Sequence, residues 1–172
     1  MRSSVRSRLA PPKPNTNECS RAIEPLYPTG QRVLEAREAY LRANGLSEEG
    51  YTARSFVLRI LGVPIRFPST AARRRVLPLH DLHHIATGYR TDWIGEAEMS
   101  AWELRAGCNS LFLFWINGAG VTVGMMLSPR RVWNAFRAAH GRKTLYREPI
   151  EYETLLAMTV GELRRRLGIP QS

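Results

Sequence analysis

The sequence has little cysteine and almost no lysine. Its two cysteines, Cys19 and Cys108, lie far apart, so the chain has neither a CxxC zinc motif nor the cysteine pattern of a disulfide framework. A reducing compartment is the simpler expectation. Lys13 and Lys143 are the only lysines, so arginine supplies nearly all of the cationic side chains behind the formal net charge of +10.

Several signatures of common protein classes are also missing. The N-terminus has no apolar core of a signal peptide, and the chain has neither zinc-finger spacing nor the aromatic-interleaved basic motifs of RNA-binding modules. A positive charge of this size suits nucleic acid or an anionic membrane surface. Because the nucleic-acid signatures are absent, we do not expect nucleic acid to be the partner.

The length and hydrophobic patterning predict one helical domain. At 172 residues the chain is long enough to bury a core. Residues 1–22, rich in arginine, serine and proline, are interpreted as a disordered basic tail, with an organelle transit peptide as the alternative. Residues 23–172 show no repeat and no alternating strand pattern, so we predict an all-α fold, a single compact multi-helix domain.

Apolar spacing and capping residues predict where the helices lie. A loop is predicted over 63–68, and Pro78 either kinks the helix that carries it or begins a new one. The predicted helices are 31–44, 48–61, one from Ser69 or Thr70 to Gly88, one from Thr91 or Asp92 to about Arg105, one from Pro129 to His140, one over 152–157, and one over 159–167.

Residues 80–103 hold the densest set of potential metal ligands. On a helix, His80 and His84 lie one turn and about 40° apart around the axis, with Asp81 at the edge of the same face. Glu96 on the following helix faces them if the chain turns back after Gly88. Such a histidine pair also occurs on ordinary polar faces, but the added carboxylates favour a zinc site, with iron or manganese as alternatives.

Helical geometry shows which other polar residues of this stretch lie on the same face as the predicted ligands. Glu103 is seven residues from Glu96 and shares its face, with Asp92 flanking it, so these two are the candidate catalytic, proton-transfer groups. Asp81 or Glu103 can alternatively accept the second ring proton of a ligating histidine. His83 and Glu98 point away and are left out of the predicted site.

The spacing His80-Asp81-x-x-His84, eleven residues and then Glu96 resembles the HDxxH(x11)E signature of the ubiquinone biosynthesis family called coenzyme Q protein four. Gly88 and the Gly95-Glu96 pair agree with it, and a looser likeness reaches the C-terminal MTVGELRRRLGIP. The resemblance implies a zinc ion held by His80, Asp81, His84 and Glu96 in an all-helical domain. It also implies binding of an isoprenoid lipid or prenylated quinone precursor, and oxidative decarboxylation at the C1 position of that precursor.

The same resemblance implies partners and a location. Members attach to the membrane periphery and support quinone assembly as scaffolds for other biosynthetic enzymes, so an anionic membrane surface, such enzymes and a second copy of the chain are candidate partners. The expected location is the bacterial cytoplasm or the matrix face of the mitochondrial inner membrane. The alternative function is a non-catalytic scaffold or lipid-binding module in which the metal is a structural clip.

The stretch from Ala106 to Pro129 contains no charged residue. It is long enough to span a bilayer, but its asparagines and glycines favour a buried core helix broken near Gly118. Small residues beside large apolar ones predict a pocket for a polyprenyl tail, lined by Phe112, Trp115, Gly120, Gly124 and Met125. The basic helix that follows suits anionic head groups or is simply a solvated face.

Overall fold

The computed structural model describes residues 27–60 and 63–171, and the predicted tail 1–22 lies outside the described residues. The elements in chain order are α1 (Val33–Ala43), α2 (Glu49–Thr52), β1 (Ser55–Ile60), β2 (Val63–Pro68), α3 (Ala71–Thr87), α4 (Trp93–Gly107), α5 (Leu111–Leu127), α6 (Pro129–Ala138), a 3-10 turn (Leu145–Arg147), α7 (Tyr152–Ala157) and α8 (Val160–Leu167). The fold is mostly helical, as the sequence predicts.

Capping residues fix the ends of the two helices that carry the ligand-rich stretch. The Thr70 side chain accepts a hydrogen bond from the Arg73 backbone N–H, and Gly88 ends α3 in the left-handed conformation at φ 79°. Asp92 caps α4 by accepting from the Gly95 N–H at 2.9 Å. Helix α3 continues through Pro78, so no new helix begins there.

The absence of strands was a wrong prediction. The predicted helix over 48–61 is only the short α2 followed by β1, and the predicted loop over 63–68 is β2, paired antiparallel with β1 from Ser55 opposite Pro68 to Ile60 opposite Val63. Apolar residues over 56–61 fit a helical period, but Phe, Val and Ile also favour strands. Each strand of a two-stranded sheet has a free edge, so Pro64 and Pro68 are tolerated in β2.

The core lies where α1, α3, α4 and α8 meet. Its fully buried side chains include Val33 of α1, Leu82 and Ile85 of α3, Met99 of α4 and Leu163 of α8. The opposite side of α4 packs against α5 and α6. This central position holds α3 and α4 side by side and fixes the polar residues between them.

Helix α5 differs from the predicted buried and broken core helix. It is continuous over all of Leu111–Leu127, and only Leu113, Asn117 and Gly124 of its residues are buried. Most of its large apolar side chains are exposed, including Trp115 at 72% and Met126 at 83%. Within residues 27–60 and 63–171, no helix combines the length and apolarity that crossing a membrane needs.

The glycines of α5 serve helix packing. A Cβ on Gly124 would collide with the Cβ of Ala97 and lie 2.8 Å from Val132, and a Cβ on Gly120 would lie 2.5 Å from the Ser100 hydroxyl. These two positions therefore bring α5 against α4 and α6. The sequence-based interpretation places both glycines in the wall of a pocket for a polyprenyl tail, whereas here they contact neighbouring helices.

Gly124→Ala is expected to destabilise the fold by about 1–3 kcal/mol, because the added methyl group overpacks the contact with Ala97. Gly118→Ala on the same helix is the matched control, since nothing lies within 4 Å of its added Cβ. We expect that control to be neutral or stabilising by up to about 1 kcal/mol. Urea unfolding of both variants measures the difference, and equal stabilities would contradict this packing.

Candidate metal centre

Helices α3 and α4 place three potential metal ligands around one point. His80 and His84 occupy successive turns of α3, and Glu96 lies in the first turn of α4. One ligand atom from each of the three lies within 4.8 Å of the others. The side chains of His84 and His80 are 0% and 20% exposed, whereas that of Glu96 is 44% exposed, so the group is open on the Glu96 side.

The hydrogen-bond partners of the two rings determine which nitrogen faces Glu96. His84 Nδ1–H donates to the Tyr89 carbonyl at 2.9 Å, and His80 Nδ1–H donates to Glu103 Oε1 at 2.9 Å. This assignment follows from the acceptors, since a carbonyl and a carboxylate cannot donate. Both Nε2 atoms consequently point to the shared centre, as ligating imidazoles do when their other nitrogen is held by an acceptor.

The donor atoms are spaced nearly as they are in a tetrahedral zinc site. The two Nε2 atoms are 3.1 Å apart, His80 Nε2 is 3.3 Å from Glu96 Oε2, and His84 Nε2 is 3.5 Å from Glu96 Oε1. Atoms that bind one zinc ion at about 2.0–2.2 Å in a tetrahedron lie about 3.3–3.6 Å from one another. The separations lie near this range, with the two rings next to different oxygens of Glu96, so the three residues could hold a divalent metal.

The electrostatics of the group favour cations. Burial disfavours a charged His80, but the Glu103 and Glu96 carboxylates outweigh burial and raise its pKa well above the ordinary value. Burial likewise acts to raise the pKa of Glu103, but His80 and His83 outweigh it and hold that pKa well below the ordinary value. Burial also acts to raise the pKa of Glu96, but its hydrogen bonds with His80 and His84 outweigh burial and lower that pKa to about 2. The two carboxylates are thus ionised at neutral pH, and a cation between them is stabilised.

Asp81, a ligand by the motif, lies outside this group. Its buried carboxylate accepts hydrogen bonds from the Tyr51 hydroxyl at 2.6 Å and the Tyr40 hydroxyl at 3.4 Å. The Tyr40 ring in turn stacks on the His84 ring, with centroids 5.9 Å apart. Asp81 thus supports the face of His84 through Tyr40, and burial raises its pKa.

The two candidate catalytic carboxylates occupy different environments. Glu103 is 1% exposed and accepts hydrogen bonds from four side chains: His80, His83, Asn117 and Tyr146. Asp92 caps α4 and forms an ion pair with Arg90 at 2.9 Å. Glu103 therefore belongs to the centre, and the contacts of Asp92 serve the start of α4.

A cavity of about 620 Å³ adjoins the metal group between α3, α4 and α5. Its polar end is formed by His80, Glu96, Ser100, Glu103, Asn117 and Tyr146, and the rest of its wall by Thr70, Arg73, Val76, Leu77, Phe112, Leu113 and Ile116. Of the predicted pocket residues only Phe112 lines it. Trp115 and Met125 are exposed, while Gly120 and Gly124 pack against neighbouring helices.

Sequence reasoning missed several residues of this region. The helical angle of His83 predicts a position off the ligand face, but its place three residues after His80 lets both rings reach Glu103. Tyr146 and Asn117 come from distant parts of the chain and carried no local signal. Glu98 lies outside the group, and its carboxylate accepts two hydrogen bonds from the Arg131 guanidinium.

Comparison of the chain with protein-family models, with curated proteins and with solved structures finds no match.

Proposed function

We propose that the protein binds one divalent metal ion, preferably zinc, through His80, His84 and Glu96, and holds the head group of an isoprenoid lipid beside it. The substrate class is a prenylated quinone precursor, and the reaction is the C1 oxidative decarboxylation implied by the coenzyme Q protein four resemblance. In that reaction the C1 carboxyl group leaves as carbon dioxide, water supplies the new hydroxyl oxygen, and an external two-electron acceptor such as a quinone takes up the electrons. The observation that carries the proposal is the position of His80 and Glu96 in the wall of a largely apolar cavity.

The number of ligands supports a catalytic metal site rather than a structural one. Structural zinc sites use four protein ligands, whereas catalytic sites keep three and leave one position open. In the part of the chain that the structure describes, the group has three members, and its open side is the half-exposed Glu96 next to the cavity. A metal held there by His80, His84 and Glu96 would act as a Lewis acid toward an oxygen of the head group.

The protein's own groups at the polar end would bind and orient that head group. Ser100, Asn117 and Tyr146 present hydroxyl and amide groups to the cavity beside Glu103. Beyond them, Val76, Leu77, Phe112 and Ile116 give an apolar wall that suits the first prenyl units and excludes water. A cavity wall that combines these polar groups with apolar side chains suits a ligand with a polar ring and a hydrocarbon tail.

Filling the apolar part of the cavity tests the lipid assignment. Leu77→Trp is expected to weaken binding of a prenylated hydroxybenzoate by about tenfold or more, because the indole occupies the space of the tail. Ala72→Trp is the matched control, since Ala72 is exposed on the same helix and lies outside the cavity wall. Equal ligand affinity of the two variants, both with normal zinc binding, would overturn the lipid assignment.

The exposed face of α5 supports attachment to an anionic membrane surface. Phe112 and Ile116 line the cavity and are also partly exposed, so the cavity borders this apolar surface. Trp133 of α6 is 54% exposed, and the exposed Arg130 and Arg137 lie on the same helix. An uncharged helix beside tryptophan and arginine is typical of surfaces that enter the interface of a bilayer.

A negative charge introduced on the exposed face of α5 should weaken binding of the protein to vesicles. Met126→Glu is expected to lower partitioning into phosphatidylglycerol-containing vesicles by about tenfold or more, because an exposed apolar side chain becomes a carboxylate facing anionic lipid. Leu46→Glu is the control, because Leu46 is also exposed but lies after α1. Co-sedimentation measures both, and an equal effect of the two changes would exclude α5 as the attachment surface.

The second candidate is a non-catalytic scaffold or lipid-binding module in which the metal clips α3 to α4. The observation that favours it is that the three ligands come from both helices, so bound metal would join them. Turnover separates the two functions. A zinc-loaded protein that binds the prenylated precursor and never decarboxylates it, with an electron acceptor supplied, would favour the scaffold.

A further inference from the structure

His83 lies in the C-terminal half of α3, fully buried, and belongs neither to the metal group nor to the cavity wall. Its Nδ1 is 2.7 Å from Glu103 Oε1, and its Nε2 is 2.9 Å from the backbone nitrogen of Leu145. A backbone N–H can only donate, so Nε2 must accept, and the ring proton must sit on Nδ1. The backbone of residue 145 thus sets the tautomer of His83.

The Glu103 carboxylate accepts a hydrogen bond from His83 Nδ1–H and from three other donors. His80 Nδ1, His83 Nδ1 and the Tyr146 hydroxyl all donate to Oε1, and the Asn117 amide donates to Oε2 at 3.1 Å. These donors come from three elements, with His80 and His83 on α3, Asn117 on α5 and Tyr146 in the 3-10 turn, and together they hold the carboxylate in one orientation. A carboxylate held in this way can only accept, so it keeps the proton of His80 on Nδ1.

We infer that His83 and Glu103 are positioning residues that keep His80 Nε2 directed at the metal, an inference that rests on the proposed metal-binding function. The path runs from the Leu145 N–H to His83, from His83 to Glu103, and from Glu103 to His80. It ties the 3-10 turn at Leu145–Arg147 to the ligand-bearing helices. Carboxylates that hold ligating histidines in this way raise metal affinity by about 10–100-fold.

A pair of substitutions at position 83 separates the hydrogen bonds from the bulk of the ring. Glutamine can donate its amide N–H to Glu103 and accept the Leu145 N–H with its carbonyl oxygen, whereas leucine can do neither. We expect His83→Leu to weaken zinc binding by about 10–100-fold and His83→Gln to restore most of it. Competition with a chromophoric chelator measures the affinities, and equal affinities of His83→Leu and the wild type would overturn the inference.

Glu103→Gln provides the second test, which also covers the case that His83→Leu does not fold. It keeps the size of the side chain and removes the charge, and we expect a loss of zinc affinity of about 10–100-fold. Nitrogen-15 NMR of the imidazole rings should show the zinc on His80 Nε2 in the wild type. Unchanged zinc affinity in Glu103→Gln, with the same single tautomer of His80, would overturn the inference.

The tautomer of His83 can be read without any metal, which keeps this inference separable from the proposed function. Wild-type protein that binds no zinc would overturn the metal site. In the same metal-free sample, a His83 proton on Nδ1 would still support the path from Leu145 to Glu103. A proton on Nε2 would contradict that path.

Discussion

Replacing His84 with alanine is expected to abolish stoichiometric zinc binding. His84 supplies a buried Nε2 that lies 3.1 Å from His80 Nε2, and its other nitrogen is already committed to the Tyr89 carbonyl. Without it the group keeps one imidazole and one half-exposed carboxylate, which is too few for a tight site. We expect a loss well beyond the about 10–100-fold typical of residues behind the ligands.

The chain offers a matched control for this change. His140 is the one histidine outside residues 80–84, and its exposed ring contacts the Arg105 guanidinium at 2.8 Å. His140→Ala should bind one zinc ion with wild-type affinity in calorimetry and elemental analysis. A His84→Ala protein that retained one tightly bound zinc would contradict the assignment of the ligands.

The stability of the same variant bears on the second candidate function. Alanine at a fully buried position leaves a cavity whether or not a metal is present, so the fair comparison is between metal-free proteins. If the metal is only a clip, removing zinc from the wild type should lower its melting temperature nearly to that of His84→Ala. If the site works on a substrate, turnover should disappear while metal-free wild type stays well folded.

Zinc binding is expected to release one proton from His80. In the metal-free protein the two carboxylates raise the pKa of His80 well above its ordinary value, so near neutral pH both ring nitrogens carry protons. The metal needs the lone pair of Nε2, while the proton on Nδ1 stays with Glu103. Apparent affinity should therefore rise about tenfold per pH unit from about pH 7 up to the raised pKa, and level off above it.

The stability of the metal-free protein should show the complementary trend. A group whose pKa is higher in the folded than in the unfolded state stabilises the fold. This stabilisation is complete when the pH lies below the unfolded-state pKa, and it is lost as the pH rises through the folded-state pKa. Metal-free protein should thus lose stability at alkaline pH, and zinc should remove that loss by replacing the proton. Calorimetry in buffers of different ionisation enthalpy counts the released proton, and zero release would contradict this charge arrangement.

Local signals in the sequence placed most of the helices correctly. Predicted helix 31–44 corresponds to α1, and the caps at Thr70, Asp92 and Thr159 start α3, α4 and α8 as expected. Capping depends on hydrogen bonds within three residues, so the sequence carries it directly. The hairpin was missed because its strand pairing depends on contacts between segments, which the apolar spacing of one segment does not reveal.

The sequence predicted that His80, His84 and Glu96 lie together, but it did not predict the residues that surround them. The spacing of His80, His84 and Glu96 needs only helical geometry and one turn of the chain, and the structure brings the three together. Asp81 shares that spacing, but buried tyrosines from other elements engage its carboxylate. The direction in which a carboxylate finally points depends on such distant partners.

The apolar stretch from Ala106 to Pro129 also depends on distant contacts that its own sequence does not reveal. Its uncharged composition predicted burial, because apolar residues usually lie inside a domain. In the structure α4 and α6 contact the stripe of α5 that carries Gly120 and Gly124, and the large side chains on the opposite side stay exposed. Composition indicates that a surface is apolar, and tertiary packing decides whether it faces the core.

Anomalous diffraction at the zinc edge from zinc-loaded crystals tests the metal centre most directly. We expect one peak within about 2.0–2.2 Å of His80 Nε2, His84 Nε2 and a Glu96 oxygen, on the side that faces the cavity. A peak on other residues, or bonds through Nδ1 of His80 or His84, would contradict the ligand set and the ring orientations that define this centre.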